Sequence, residues 1–295
     1  MKKYPFILIF DIDNTVIGDC SLLTKESRLL EYIYNTCKKE GEYNCKYMKS
    51  IDMQEELMSG LLRPNIKDFI KFCNNKFKNI EIFFYTGSSY FWTNASLGPN
   101  IEKALNIKIN RPFFTKENMI STSLIDIEKS LANIFPLITK SLEKKYPVMK
   151  NRNDIDYIIQ NRTIFIDDIR NNTYTYANRQ LVCPRYNYWP AYDVSNKIVK
   201  KYGIDRKVFD NEDILRYIWV NSIYIHNKHG NDSQRSRDIY NAQKAEYIKK
   251  SRLSRRNDRY YRDLIKELSK KDVDSDVISD DNIININYKL SEKLY

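Results

Sequence analysis

Residues Phe6 to Gly18 read FILIFDIDNTVIG: five consecutive apolar residues run directly into Asp11, and a second carboxylate, Asp13, follows two positions later. A short unbroken apolar run is the pattern of a strand buried on both faces, as in a parallel sheet. A chain carrying such a strand needs helices on either side of it, so the run points to an α/β fold. Side chains alternate along a strand, so Asp11 and Asp13 would point the same way if the strand continued. At the carboxyl end of that strand the pair opens into the crevice where open α/β sheets bind ligands. One carboxylate is then suited to attack or to hold a metal, and its neighbour to handle protons.

Two further apolar runs, Ile80–Tyr85 and Thr163–Ile166, have the same character, and each ends at small or acidic polar residues. Helical spacing lies between them: Ile66, Phe69, Ile70 and Phe72–Cys73 in a helix over Asn65–Phe77, with Pro64 near its start, and a second helix over Ile125–Leu142. Strands alternating with helices predict a doubly wound, Rossmann-like parallel sheet, to which Gln180–Cys183 adds a further short strand. The polar segment 19–60 interrupts the first strand and the next helix. It reads either as a small helical insertion near the site mouth or as a plain helical layer of the core. The expected body of the protein is thus 1–225, followed by a basic helical extension, 226–271, and an acidic tail, 272–295. Ser233–Lys271 has no Gly or Pro and predicts one long helix, and Asp272–Asp281 reads as disordered.

Charge is uneven. Residues 226–271 hold 14 Lys and Arg against 6 Asp and Glu, whereas 272–295 hold 2 against 6, so much of the net +11 sits in one late segment. Its tyrosines, Tyr240, Tyr247, Tyr260 and Tyr261, would let it track a nucleic-acid backbone. A solvated helix with charge pairs is the plainer reading. The five cysteines (Cys20, Cys37, Cys45, Cys73 and Cys183) form no CxxC pair and read as reduced intracellular thiols. Only His226 and His229 are present, which disfavours histidine catalysis or ligation. The apolar run at the amino terminus is too short for a signal peptide or a membrane span. The expectation is a soluble protein of the cytoplasm or nucleus without a membrane partner.

The second run ends in Thr86-Gly87-Ser88-Ser89, which offers a hydroxyl and backbone N–H groups suited to a phosphate, though an ordinary turn has the same composition. The third delivers Asp167 and Asp168, adjacent like charges that call for a cation, or else a helix cap at Asp168. Asp11, Asp13, Asp167 and Asp168 together make an all-oxygen set suited to Mg²⁺ and poorly suited to zinc. A lysine would complete the site by offsetting phosphoryl charge. Lys150, shortly before the third strand, is the candidate, with Lys140, Lys144 and Lys145 as competitors.

These pieces resemble the haloacid dehalogenase-like phosphohydrolases, whose DxDx[TV] signature is matched by Asp11-Ile12-Asp13-Asn14-Thr15. Thr86, Lys150 and the Asp167–Asp168 pair match that family's later motifs. Within it, Arg63, Pro64, Phe69 and Tyr85-Thr86-Gly87-Ser88 are similar to the block found in RNA polymerase II carboxy-terminal-domain phosphatases and their small relatives. The resemblance spans about residues 5–200. Asn14, Gly87 and Asp168 depart from the subgroup's usual Glu, Ala and Asn.

The resemblance implies that Asp11 is the nucleophile and forms an aspartyl-phosphate, and that Asp13 is the acid/base. It implies Mg²⁺ held by the Asp11 carboxylate, the Asp13 carbonyl and one or both of Asp167 and Asp168, with Thr86, Gly87 and Lys150 binding the phosphoryl group. The leading expectation is a magnesium-dependent phosphatase for a phosphomonoester, with a phosphoserine or phosphothreonine protein or peptide as substrate. The alternatives are a nucleic-acid 3′-phosphatase using the 233–271 segment, and a non-catalytic binding protein on the same fold.

Overall fold

The computed structural model describes residues 3–19, 28–36, 52–121, 127–188, 205–220, 253–270, 274 and 276–292, together with residues 238, 242, 245, 246 and 249. It divides into a sheet unit, Met1–Gly18, Leu62–Tyr186 and Asp258–Tyr295, and a second unit, Asp19–Leu61 and Asn187–Asn257.

In chain order, the sheet unit contains β1 (Phe6–Phe10), α1 (Ile66–Lys76), β2 (Ile80–Phe84), α2 (Gly98–Leu105), β3 (Ile120–Ser121) and β4 (Ile127–Glu128). There follow α3 (Leu131–Leu142), α4 (Arg152–Asn161), β5 (Thr163–Asp167), β6 (Gln180–Val182), α5 (Tyr260–Leu268) and α6 (Asp280–Glu292). The main sheet is four-stranded and parallel, in the order β2-β1-β5-β6, while β3 and β4 form a separate antiparallel pair. All five β1 residues are fully buried, as the continuous apolar run requires. Ile7 and Ile9 join the core made with α3 and α4. On the opposite face Phe6 stacks on Phe77 at 4.0 Å, and Phe10 meets Phe69 of α1 and Tyr261 of α5 at 6.2 and 6.4 Å. Helices therefore cover both faces, giving a Rossmann-like α/β arrangement. Adjacent β2 and β5 lie on opposite sides of β1, which places a crevice at the β1 carboxyl end.

The carboxy-terminal region differs from expectation. The helical character of 253–257 stops at Asp258–Arg259, and α5 begins a new helix with Tyr260 and Tyr261 buried in the sheet unit. Expectation there was one continuous solvated helix; the break coincides with the pairing of Asp258 to a buried arginine, Arg63. Tyr240 and Tyr247 lie outside the described residues.

The acidic segment is also ordered where it is described, because buried arginines need its carboxylates. Arg179, fully buried, pairs with Asp280 at 2.7 Å, and Arg162 with Asp276 at 3.5 Å. Helix α6 buries Ile283, Ile286 and Leu290. Its Asn287 accepts from Val182 N–H at 2.9 Å and donates to Gln180 C=O at 2.8 Å, so a side-chain amide caps the exposed edge of β6. Residues 258–292 thus belong to the sheet unit and not to an appended extension and tail.

In the second unit, segment 19–60 is grouped with 187–257, not with the body expected to end near 225. A helix over 28–36 packs Tyr32 on Tyr217 of the helix Glu212–Val220, with ring centroids 4.1 Å apart. Gly60 takes φ +127°, and a Cβ there would lie 2.7 Å from the Tyr188 hydroxyl. Cys20, Cys37 and Cys45 lie outside the described residues. Among the described residues no helix is long and apolar enough to cross a membrane.

Candidate functional site

β1 ends at Phe10, one residue before the first carboxylate. Asp11 N–H still donates to Ile166 C=O of β5 at 2.9 Å, but the chain then turns. The Ile12 carbonyl accepts from the N–H groups of Thr15, Val16 and Ile17, and Asn14 takes the left-handed conformation, φ +60°. Asparagine tolerates that conformation better than most residues, a local reason for its place in the motif. Because strand form has ended, Asp11 and Asp13 diverge instead of pointing alike. The Asp11 carboxylate meets Lys129 and the Asp167–Asp168 side, whereas Asp13 accepts from Ser88 Oγ at 3.1 Å and from Thr86 Oγ1 at 3.5 Å.

β2 positions the hydroxyls. Tyr85 N–H bonds Phe10 C=O at 2.8 Å, continuing the ladder beyond the strand, and Thr86 follows, fully buried. Thr86 Oγ1 also accepts from Ser88 N–H at 3.1 Å. Gly87 is exposed, has no positive φ, and a Cβ there would meet nothing within 4 Å, so the protein's own packing does not demand glycine at that turn.

The lysine at the site is Lys129. Its Nζ lies 2.5 Å from Asp11 Oδ1 and 2.7 Å from Asp167 Oδ2, with the side chain 3% exposed. The rings of Phe165 and Tyr85 flank the ammonium at 5.4 and 5.8 Å. Ser130 is the N-cap of α3, its Oγ accepting from Asn133 N–H, so Lys129 sits just before the helix. Lys150 is elsewhere. It ends the turn Pro147–Lys150, is exposed, and is flanked by residues that contact the amino-terminal end of the sheet. Tyr146 bonds Glu81 near the start of β2, and Asp154 bonds Tyr4 ahead of β1. Helix α3 carries the chain from one end of the sheet to the other, which puts lysines after it at the wrong end. Lys140, Lys144 and Lys145 are exposed too, and Lys145 pairs with Glu81.

Asp167, fully buried, accepts from Ile169 N–H at 2.8 Å and Asn172 Nδ2 at 2.9 Å as well as from Lys129. Asp168 accepts from Thr15 Oγ1 at 3.4 Å and lies 3.6 Å from Arg185, a mostly exposed side chain. With its amide oxygen assigned toward Arg185, Asn14 accepts from that guanidinium at 3.2 Å. Lys129, Ser88, Thr15, Asn172 and Arg185 were not identified from sequence as contributors.

The electrostatics follow from burying three carboxylates beside one ammonium. Burial drives the Asp11 carboxyl well above the usual carboxylate range; Lys129 opposes this, and Asp167 and Asp13 add to it. Burial also acts to lower the Lys129 pKa, but Asp11 and Asp167 outweigh it and hold the ammonium protonated beyond the ordinary lysine range. Asp168 is pushed up to about 6, by burial first and then by Asp167. Cys183, 3.5 Å from Thr15, is pushed by burial up to about 12 and is an inert thiol.

The donor set fits a hard divalent cation. One carboxylate oxygen from each of Asp11, Asp167 and Asp168 lies within 4.8 Å of the others, all ligands are oxygen, and the negative charge exceeds what Lys129 supplies. The Asp13 carboxylate, turned to Ser88, is not in that group. Compared with known protein families and with curated proteins, the sequence matches no family model and none of the curated proteins.

Proposed function

We propose that the chain is a divalent-metal-dependent phosphohydrolase of the haloacid dehalogenase-like type, with Mg²⁺ as the metal and a phosphomonoester as substrate. The observation that carries this reading is the convergence, at one end of a parallel sheet, of Asp11, Asp13 with its two hydroxyls, Lys129 and the Asp167–Asp168 pair.

Asp11 attacks phosphorus, forming an Asp11 O–P bond as the ester P–O bond breaks. Lys129 engages Asp11 Oδ1, which leaves Oδ2 as the attacking oxygen. Asp13 gives its proton to the departing oxygen. It then takes one from the water that attacks the phosphorus, releasing phosphate and restoring Asp11. Thr86, Ser88 and Lys129 supply donors for the phosphoryl oxygens. Asp11 and Asp168, with support from Asp167, would hold Mg²⁺, which when bound offsets phosphoryl charge.

The 295-residue chain should hydrolyse p-nitrophenyl phosphate in Mg²⁺ and lose that activity in chelator. Asp11→Asn should reduce turnover to background with an unchanged circular dichroism spectrum; full activity in the variant sinks the nucleophile assignment. Phosphoserine and phosphothreonine peptides, set against a 3′-phosphorylated oligonucleotide, test the substrate. Burial of Tyr260 and Tyr261 removes two of the four aromatics on which the oligonucleotide reading relied.

A further inference from the structure

We propose that Asp258 and Tyr261, which lie beyond the stretch carrying the family resemblance, are positioning residues of this site. They fix the Asn14–Thr15 backbone, and with it Asp13, partly through Arg63. The proposal rests on the phosphohydrolase reading for its chemistry.

Arg63 is fully buried and makes five polar contacts to four acceptor atoms. Its Nη1 reaches Asn14 C=O at 3.3 Å and Thr15 C=O at 3.4 Å, and its Nη2 reaches Pro184 C=O at 2.8 Å. Nε and Nη2 meet Asp258 Oδ2 at 2.9 and 2.8 Å. The rings of Tyr260, Tyr261 and Tyr186 enclose the guanidinium at 5.0, 5.5 and 5.6 Å. Independently of Arg63, Tyr261 Oη donates to Thr15 C=O at 3.2 Å, and Tyr186 N–H to Asn14 C=O at 2.9 Å.

The acceptors identify the purpose. Asn14 and Thr15 directly follow Asp13, and Asn14 holds the left-handed turn that sends Asp13 toward Ser88 and away from Asp11. Thr15 donates its hydroxyl to Asp168, so one short backbone segment sets two acidic side chains. A buried guanidinium is costly without a counter-charge, and apolar residues of similar size would pack the same space at less cost. Arginine here gains two N–H donors aimed at consecutive carbonyls of the loop, and Asp258 is the counter-charge that keeps them in place. A shift of about 1 Å in such a loop costs on the order of 100-fold in rate.

The test uses Asp258→Asn and Tyr261→Phe in the 295-residue chain, with Asp280→Asn as control. The control weakens another arginine–aspartate pair, that of Arg179, whose carboxylate partner is half-exposed and whose other bonds go to Thr163 C=O, at the amino end of β5, and to Ile278 C=O. With aryl phosphate and Mg²⁺, kcat should fall at least tenfold in Asp258→Asn and at least threefold in Tyr261→Phe, with KM within twofold. The control should keep kcat within twofold. Hydrogen exchange of the amides of residues 11–17 should accelerate in the first two variants only. Unchanged kcat and exchange in those two overturn the proposal, as does an equal fall in the control. If Asp258→Asn does not fold, Tyr261→Phe decides, since it removes one hydroxyl. If wild type shows no turnover, the phosphohydrolase reading fails and exchange alone judges the positioning: faster exchange upholds it and unchanged exchange ends it.

Discussion

Replacing Lys129 by methionine tests the charge balance of the site most directly. The ammonium lies 2.5 and 2.7 Å from Asp11 and Asp167, and all three side chains are at most 7% exposed. Removing one member of a buried ionic set costs about 3–5 kcal/mol, because the remaining charges stay in the interior. Protonation sets a ceiling on that cost. Neutralising one carboxyl of ordinary pKa about 3.9 at pH 7.5 costs about 5 kcal/mol, and the ceiling drops by about 1.4 kcal/mol for each pH unit. The orphaned carboxyl has a raised folded-state pKa, so the lost stability returns as pH falls and grows as pH rises. In chelator, Lys129→Met should therefore lose about 3–5 kcal/mol at pH 7.5 and about 2 kcal/mol less than that at pH 6. Hydrogen exchange of the β1 and β5 amides across a urea series reads the sheet unit separately from the second unit. Mg²⁺ should restore part of the loss. A variant as stable as wild type in chelator refutes the neutralising role of Lys129, and a pH-independent loss assigns the effect to packing.

Two other outcomes follow from the same geometry. Mg²⁺ should raise the melting temperature of wild type, and Asp11→Asn and Asp168→Asn should each reduce that increase, since a ligand bound only by the folded state stabilises by mass action; an unchanged increase in both removes Asp11 and Asp168 from the cation site. Truncation after residue 273 should leave the protein unfolded or insoluble, because Arg162 and Arg179 stay buried without Asp276 and Asp280 and the apolar side chains that face Ile283, Ile286 and Leu290 of α6 are uncovered; a soluble, cooperatively melting truncation would show that these contacts are dispensable.

The strands were legible because β1, β2 and β5 are buried on both faces and contain little but apolar residues, and each expected boundary lies within a residue of the observed one. The carboxylates at their ends were legible for the same reason. Lys129 was not. The apolar spacing of Ile125–Leu142 reads as one helix, which makes Lys129 an interior helical lysine, whereas the helix begins at Leu131 behind the Ser130 cap. A serine followed by an apolar periodic run is an N-cap signal, and placing the cap there would have exposed the lysine just before it. Nearness in sequence to β5 favours Lys150, a criterion that ignores the direction in which α3 traverses the sheet.

The carboxy-terminal misreading has a different origin. Residues 272–281 carry five Asp, no Lys or Arg and few large apolar groups, and judged by themselves they lack a reason to fold. The reason lies more than a hundred residues earlier or, for Arg63, almost two hundred: Arg63, Arg162 and Arg179 are buried cations of the sheet unit, and Asp258, Asp276 and Asp280 are their partners. Composition counted along the chain separates Arg162 and Arg179 from the acidic end that holds Asp276 and Asp280 and hides Asp258 in a basic segment, while the fold brings each carboxylate to its arginine. The sheet is thereby closed at both ends by one segment. Asp276 and Asp280 anchor it at the amino end through Pro5 and Thr163, to which their arginines also donate, and Asp258 anchors it at the carboxyl end, where Arg63 reaches the loop after Asp13. A segment that reads as an appendage is in this way bonded to the backbone that aims the candidate acid/base.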